Sequence, residues 1–134
     1  MKFVAIKEHH LYNKAYRQGS RYVSKCTAVY VLRDLAAKRL MKAHPQKRTV
    51  NRIGLSVTKK IGGACVRNRA KRILREAWRA IEREGQLKTG YLVVLAARSE
   101  IIGKKTPDVE RELRAALRHL KMMRDEPQRT ETTP

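Results

Sequence analysis

One stretch of this chain, at positions 52–72, reads RIGLSVTKKIGGACVRNRAKR. Its first seven residues alternate between apolar side chains and polar or small ones, which is the pattern of a strand with one buried face. After Gly62 and Gly63 the apolar residues change to a period of 3.6, which predicts an amphipathic helix. The stretch therefore predicts a strand over about 50–58 that passes through a turn into a long helix.

The predicted strand has two different faces. Its apolar face consists of Ile53, Leu55 and Val57, and its other face consists of Arg52, Gly54 and Ser56. The first face predicts contact with a core, because alternate residues of a strand point to opposite sides. The second face is polar and small, so it leaves room for a ligand close to the backbone.

Other helices and strands follow on either side of this stretch. The predicted helix begins near Ala64 or Cys65, ends at about Glu84 before Gly85, and has an apolar stripe made of Val66, Ala70, Ile73, Leu74, Ala77, Trp78 and Ile81. Before this stretch we expect a helix over Glu8–Gln18, ended by a left-handed Gly19, and a strand over 26–33. A basic connection over 34–49, with room for a short helix, then leads to the stretch. After it we expect a central strand over 91–97 and a helix from Pro107 to about Met122. The order helix, strand, strand, helix, strand, helix predicts an α+β fold, an α/β sandwich in which a small mixed sheet packs against helices.

Length and composition limit the organisation of the chain. The 134 residues leave room for one domain, expected at 1–123, and the apolar-poor segment 124–134 predicts a disordered tail. Cys26 and Cys65 lack metal-ligand spacing and predict reduced, partly buried thiols. The longest apolar run is 91–97 and the first residues lack a signal-peptide pattern, so the expected location is the cytoplasm.

The charge is concentrated in the first part of the chain. Residues 1–75 hold 20 Lys and Arg against Glu8 and Asp34, a net charge of +18, whereas residues 76–134 carry a net charge of +2. Such a one-sided field attracts a phosphate polymer and raises its rate of association. A protein of the membrane surface would need an apolar stripe of Trp, Phe and Leu opposite the cations, and the chain lacks one.

The cations of the long helix are placed against its dipole. Lys59, Lys60, Arg67 and Arg69 crowd the positive end, while Glu82 and Glu84 lie at the negative end. Each such placement costs about 0.3–1 kcal/mol when exposed. Charged residues on the outer face of a helix are usually only solvated, but this distribution indicates that bound phosphates supply the missing anions.

Three adjoining motifs resemble the signature of bacterial ribonuclease P protein subunits. They are Arg-x-Gly-x-Ser at 52–56, Lys-Lys-x-Gly at 59–62 and Arg-Asn-Arg-x-Lys-Arg at 67–72, and the resemblance covers about residues 5–122. It implies a left-handed βαβ crossover, a rare exception to the usual hand. It also implies a helix that meets the catalytic RNA, which assigns Lys59, Lys60, Arg67, Asn68, Arg69, Arg72 and Arg79 to that contact.

The resemblance further implies how the reaction is divided. The partners are the catalytic RNA subunit and precursor tRNA, with no membrane and no small-molecule substrate. The RNA subunit hydrolyses the phosphodiester bond with Mg²⁺ that is held mainly by RNA, so the protein alone binds no cofactor or metal. It has no catalytic residue of its own, although it is one component of an endoribonuclease.

The resemblance also implies a second RNA-binding region, a cleft for the single-stranded 5′ leader of precursor tRNA, and the aromatic residues support it. Tyr12 and Tyr16 share one helix face, and Tyr30 projects from the first predicted strand, so the three rings can form a stacking surface. The other residues assigned to this leader-binding cleft are Arg52, Ser56, Lys71 and Arg75. Two tyrosines four residues apart are equally typical of core packing, and the related proteins often have Phe at the first two positions.

Other functions stay open at this point. A protein nuclease would need clustered carboxylates, and the first 75 residues offer only Glu8 and Asp34. Composition does not separate a ribonuclease P subunit from a ribosomal protein or assembly factor that packs permanently on ribosomal RNA, but the joined strand, turn and helix motifs favour the ribonuclease P subunit. A DNA-binding regulator is less favoured, because no short helix-turn-helix pair is visible.

Overall fold

The residues described by this computed structural model, 5–43 and 50–123, form four α-helices and four strands. The helices are α1 (His9–Gln18), α2 (Ala37–Ala43), α3 (Ala64–Glu82) and α4 (Thr106–His119). The strands are β1 (Ser20–Val23), β2 (Thr27–Arg33), β3 (Arg52–Ser56) and β4 (Tyr91–Ala97). Short 3₁₀ turns at Lys59–Ile61 and Ser99–Ile101 precede the two long helices.

The four strands form one mixed sheet in the order β1-β2-β4-β3. β2 pairs antiparallel with β1 and β4, whereas β3 pairs parallel with β4. A parallel pair of neighbours needs a crossover connection, and α3 supplies it between β3 and β4. The predicted α+β class and the central position of the 91–97 strand are confirmed. The left hand of the crossover stays a prediction.

Both faces of the sheet are covered. The main core lies on the face that carries Val29, Ile53, Val93 and Leu95, against which the apolar stripes of α3 and α4 pack. Its largest residue, Trp78, is fully buried, which stabilises the fold because burying a large apolar side chain contributes roughly 1.5–3 kcal/mol. On the opposite face a smaller core holds Ala15 of α1 together with Ile6, Leu92 and Val94.

Gly19 ends α1 for a different reason from the one expected. Its backbone is extended, with φ −77° and ψ 158°, so the left-handed prediction is wrong. A Cβ at this position would lie 2.6 Å from the Ala15 carbonyl oxygen and 2.9 Å from that of Val31. The glycine therefore permits close approach of the helix end to β2.

Several other expectations need correction. β1 was not predicted, because its four residues are mostly exposed and show no strong alternation of polarity. The sequence places Val66 and Cys65 in buried or partly buried positions, but both side chains are exposed, Val66 by 39%. α3 and α4 each end a few residues before the predicted positions. The predicted tail at 124–134 and part of the basic connection, 44–49, lie outside the described residues.

Candidate nucleic-acid interface

The start of α3 is an exposed, positively charged helix end. Gly63 is the N-cap, no side chain caps the helix, and the first turn contains no acid. The turn before it requires glycine at position 62, because φ is +152° and a Cβ would lie 3.1 Å from the Val66 side chain. Ala64, Cys65, Asn68 and Arg69 are exposed. The partial positive charge of the helix end therefore adds to that of the side chains.

Two arginines near this end are held by the backbone. Arg67 Nε donates to the Gly62 carbonyl at 3.2 Å, and an Arg69 amino group donates to the Lys104 carbonyl at 2.9 Å. A guanidinium has five N–H donors, so each arginine is oriented by one bond and keeps others for an anion.

Most of the cations along α3 lack an ion pair with an acid in the part of the chain that the structure describes. Among the described residues, Arg67, Arg69, Lys71, Arg72 and Arg79 make no ion pair with an acid. The acid in their midst, Glu76, accepts a hydrogen bond from the Thr106 hydroxyl at 3.0 Å. Lys59 and Lys60 are exposed in the 3₁₀ turn that leads into α3. The structure thus brings all seven residues of the predicted catalytic-RNA contact onto α3 and the turn before it.

The aromatic residues lie on the opposite face of the sheet, beside α1. Tyr12 is half-buried and packs on Gly54, where a Cβ would meet its ring at 2.6 Å. Burial raises the pKa of Tyr12, and a hydrogen bond with the Leu55 backbone opposes this shift. The room that Gly54 leaves on the strand is therefore filled by Tyr12, which makes the predicted ligand surface smaller than expected.

Tyr16 and Tyr30 form an edge-to-face pair, with ring centroids 4.9 Å apart and an interplanar angle of 80°. Tyr16 is 37% exposed, so part of the pair faces solvent. The neighbouring row of the sheet aligns Ala28, Ala96 and Ser56 across β2, β4 and β3. These small side chains form a shallow floor beside the two rings, and the region made of Tyr16, Tyr30 and this floor is the tyrosine cleft.

Arg52 differs from its predicted role as a cleft residue. It is 8% exposed, and its guanidinium donates to both Asp34 oxygens, from Nε at 2.8 Å and from a terminal nitrogen at 3.0 Å. The other terminal nitrogen lies 3.3 Å from a Glu8 carboxylate oxygen. Burial opposes ionisation of Asp34, but the bonds from Arg52 and from the Ala36 N–H outweigh it and lower its pKa. The charge of Arg52 is thus balanced by acids within the fold, and Arg52 is not part of the tyrosine cleft.

Lys71 and Arg75 are not brought together with the tyrosines. Both are half-buried on α3, which packs on the sheet face opposite to α1. The predicted cleft therefore divides into an aromatic part and a basic part.

Sequence reasoning missed two features close to these regions. The Tyr22 ring on β1 packs against His119 of α4 at 4.6 Å between centroids. Val66 and Ile102 are exposed beside Arg69 and border an apolar cleft. The apolar character of both residues was visible, but their exposure depends on how the segment after β4 packs on α3.

A small α+β sandwich with a basic helix on one sheet face and partly exposed aromatic rings on the other has features typical of nucleic-acid-binding proteins. A family profile described as Ribonuclease P matches residues 1–121. The ribonuclease P protein component of Clostridium acetobutylicum is 32% identical over 110 residues, which cover 82% of each chain. That of Thermoanaerobacter sp. strain X514 is 32% identical over 101 residues, 75% of each chain.

Solved structures agree on the fold. The Staphylococcus aureus RNase P protein at 22% identity gives a TM-score of 0.70 and covers 91% of this chain and 99% of its own. The Thermotoga maritima RNase P protein at 19% identity gives 0.63 and covers 93% and 100%. This chain belongs to the ribonuclease P protein component family. It is therefore a component of a ribonucleoprotein endoribonuclease of tRNA processing, and RNA is its partner.

The described residues contain no helix with the length and apolar character that crossing a membrane requires.

Proposed function

We propose that this protein binds the catalytic RNA subunit of ribonuclease P through α3 and binds the 5′ leader of precursor tRNA in the tyrosine cleft. The observation that carries the first part is the positive end of α3, where cations lack acidic partners among the described residues. Phosphates bind well at such an end, because free backbone N–H groups and side-chain cations point at the same place. The complex acts in the cytoplasm and removes the leader to give the mature 5′ end.

The tyrosine cleft suits single-stranded RNA. The exposed part of the Tyr16 and Tyr30 pair offers a ring surface for stacking, which contributes about 1–3 kcal/mol per base. The small floor residues let a base approach the sheet without a steric clash. Ser56 at the β3 end of the floor adds a hydroxyl that can donate to or accept from the leader.

The chemistry belongs to the RNA in this proposal. Mg²⁺ prefers carboxylate and phosphate oxygens, and the acids of the N-terminal half, Glu8 and Asp34, are both engaged by Arg52. Among the described residues, no group of three or more His, Cys, Asp or Glu side chains is placed to hold a metal ion. Mg²⁺ is held mainly by RNA, and the protein acts by aligning the two RNAs.

Reconstitution tests the proposal. The protein is added to the catalytic RNA and a labelled precursor tRNA at low Mg²⁺, and 5′ maturation is followed. We expect cleavage to increase strongly, because bound cations screen the repulsion between the two RNAs. No increase would favour the alternative of a structural protein on ribosomal RNA.

The leader contact is tested with Tyr16→Ala and Tyr30→Ala. Each should weaken the binding of precursor tRNA that has a leader and leave the binding of mature tRNA unchanged. The matched control is Tyr22→Ala, since Tyr22 packs on the opposite sheet face against the main core. Equal losses for precursor and mature tRNA would remove the leader assignment.

A further inference from the structure

An apolar cleft lies beside the RNA-binding end of α3. Its volume is about 270 Å³, and it separates α3 from the segment that follows β4. The lining residues are Val66, Arg69 and Ala70 from α3 and Ile101, Ile102 and Gly103 from the facing segment. We refer to it as the α3 cleft.

The α3 cleft has a buried floor and exposed apolar edges. Ala70 and Ile101 are 3% and 1% exposed and form the floor, whereas Val66 and Ile102 are 39% and 53% exposed at the two edges. Gly103 has φ +84°, and no atom lies within 4 Å of the position that its Cβ would take, so the cleft is open at this end. Two exposed apolar side chains on either side of a cleft, here Val66 and Ile102, favour a ligand with two apolar faces.

The rim of the α3 cleft is basic. Arg69 donates across it to the Lys104 carbonyl at 2.9 Å, which holds the guanidinium at the cleft wall. Lys104 and Lys105 are exposed next to Gly103, and the acid of the same segment is the exposed Glu100. Glu76, the acid of α3 that is closest in sequence to Arg69, is bonded to Thr106. The net charge around the opening is positive, so it suits a ligand joined to an anion.

We propose that the α3 cleft receives a single unstacked nucleobase of the RNA whose backbone lies along α3. Val66 and Ile102 would contact its two faces, and Arg69 would contact its edge or adjoining phosphate. Bases in loops and bulges of RNA are bound in this way, by apolar or aromatic contacts to their faces. The volume of about 270 Å³ lies just below the range for ligand pockets, roughly 300–1,000 Å³, so the cleft suits a ligand no larger than one nucleobase.

Charge argues against a second copy of this chain as the occupant. Each chain carries a formal net charge of +20, and the rim of the cleft is itself basic, so two copies would repel one another at this surface. RNA supplies both the apolar ring and the negative charge. The inference rests on the proposed contact between α3 and the catalytic RNA.

The test compares an apolar contact with an ionic one. The double variant Val66→Ser with Ile102→Ser is titrated with the catalytic RNA at several salt concentrations. We expect affinity to fall about ten-fold at every salt concentration with an unchanged salt slope, because burial of a base releases no counterions. Arg69→Ala should instead reduce the slope by roughly one phosphate contact.

Val23→Ser is the matched control, because Val23 is 50% exposed on β1, away from α3. It should bind as the wild type does. Chemical probing of the RNA should show one base that is protected by the wild type and by the control, and exposed with the double variant. Circular dichroism and urea denaturation check that both serine variants are folded.

The outcomes separate the two proposals. If the wild type does not bind the catalytic RNA, the proposed function and this inference both fail. Two other outcomes would show that the α3 cleft holds no base. In the first, the double variant binds the catalytic RNA as tightly as the wild type. In the second, its loss of affinity comes entirely from a reduced dependence of affinity on salt concentration. A wild-type dimer in sedimentation that the double variant abolishes would assign the cleft to a second copy and overturn the inference.

Discussion

α3 and α4 pack on the same sheet face and against each other, yet their charges are arranged in opposite ways. In α4 the acid Asp108 lies in the first turn, where its carboxylate accepts the Lys105 N–H at 3.1 Å, and Arg118 and His119 lie in the last turn. This arrangement complements the helix dipole. In α3 the first turn has no acid and no side-chain cap.

The cations of the two helices also differ in whether they form ion pairs with acids. Arg114 of α4 lies 2.6 Å from carboxylate oxygens of both Glu84 and Glu110, and these bonds raise its pKa. Arg72 of α3 has no acidic partner among the described residues. Since both helices bury an apolar stripe in the same core, their environment does not explain the difference. The charges of α4 favour its stability, whereas those of α3 do not, which is the arrangement expected of a helix that binds an anion.

The largest effect, on stability, is expected at Arg52, a buried cation that forms an ion pair with an acid inside the fold. Asp34→Ala leaves the Arg52 guanidinium buried without its main partner, and we expect a loss of about 3–5 kcal/mol in the free energy of unfolding. Urea denaturation measures it. The control is Arg111→Ala, which removes an exposed ion pair with Asp108 at 3.7 Å, and its loss should stay within about 1 kcal/mol. Equal losses would mean that the Arg52 pair is no more important than a surface pair.

Acid should weaken the same pair. The pKa of Asp34 in the fold lies below its ordinary value of 3.8, so its contribution to stability is complete above that value and is lost as the pH falls through the lowered pKa. Wild-type stability measured against pH should therefore fall at acid pH more steeply than that of Asp34→Asn. Parallel curves for the two proteins would contradict the ion pair as the cause.

The next largest effect is on RNA binding, and it compares the loss of one positive charge from α3 with the loss of one from α4. Arg72→Ala should weaken binding to the catalytic RNA and reduce the slope of log affinity against log salt by roughly 0.7–0.9, the range for one phosphate contact. Arg118→Ala, in the last turn of α4, removes the same charge and should leave the slope unchanged. Equal changes in slope would show that net charge alone, rather than its position on α3, attracts RNA.

The smallest effect is expected for a substitution that adds a negative charge at the start of α3, where the first turn has no acid. Gly63→Asp adds a cap and an acid where the first turn has neither, and the space around its Cβ is open. We expect the free energy of unfolding to rise by about 0.3–1 kcal/mol, while the affinity for RNA falls because the carboxylate occupies the place of a phosphate.

Gly63→Asn is the matched control, since it can cap the helix without adding a charge. It should raise stability slightly and retain more RNA affinity than Gly63→Asp. If Gly63→Asp stabilises the protein and leaves RNA binding intact, the start of α3 does not contact phosphate.

Much of the fold could be predicted because its signals are local. The alternation at 53–57 and the stripe from Ala70 to Ile81 identify β3 and α3, since each pattern repeats within a few residues. β1 could not be found in this way, because its exposed residues are held by pairing with β2 rather than by their own pattern. The cations of α3 were equally readable, since their surplus over acids is a property of the sequence.

By itself the sequence determined the α+β class, the basic helix and the surplus of positive charge, because periodicity and composition depend only on the order of residues. Tertiary structure decided which charges remain available. It paired Arg52 with Asp34, 18 positions away along the chain, and placed Ile102 opposite Val66 to form the α3 cleft. It also put Tyr12 over Gly54 and separated the tyrosines from Lys71 and Arg75. Contacts between residues distant in sequence arise only when the sheet and helices pack, so no local pattern records them.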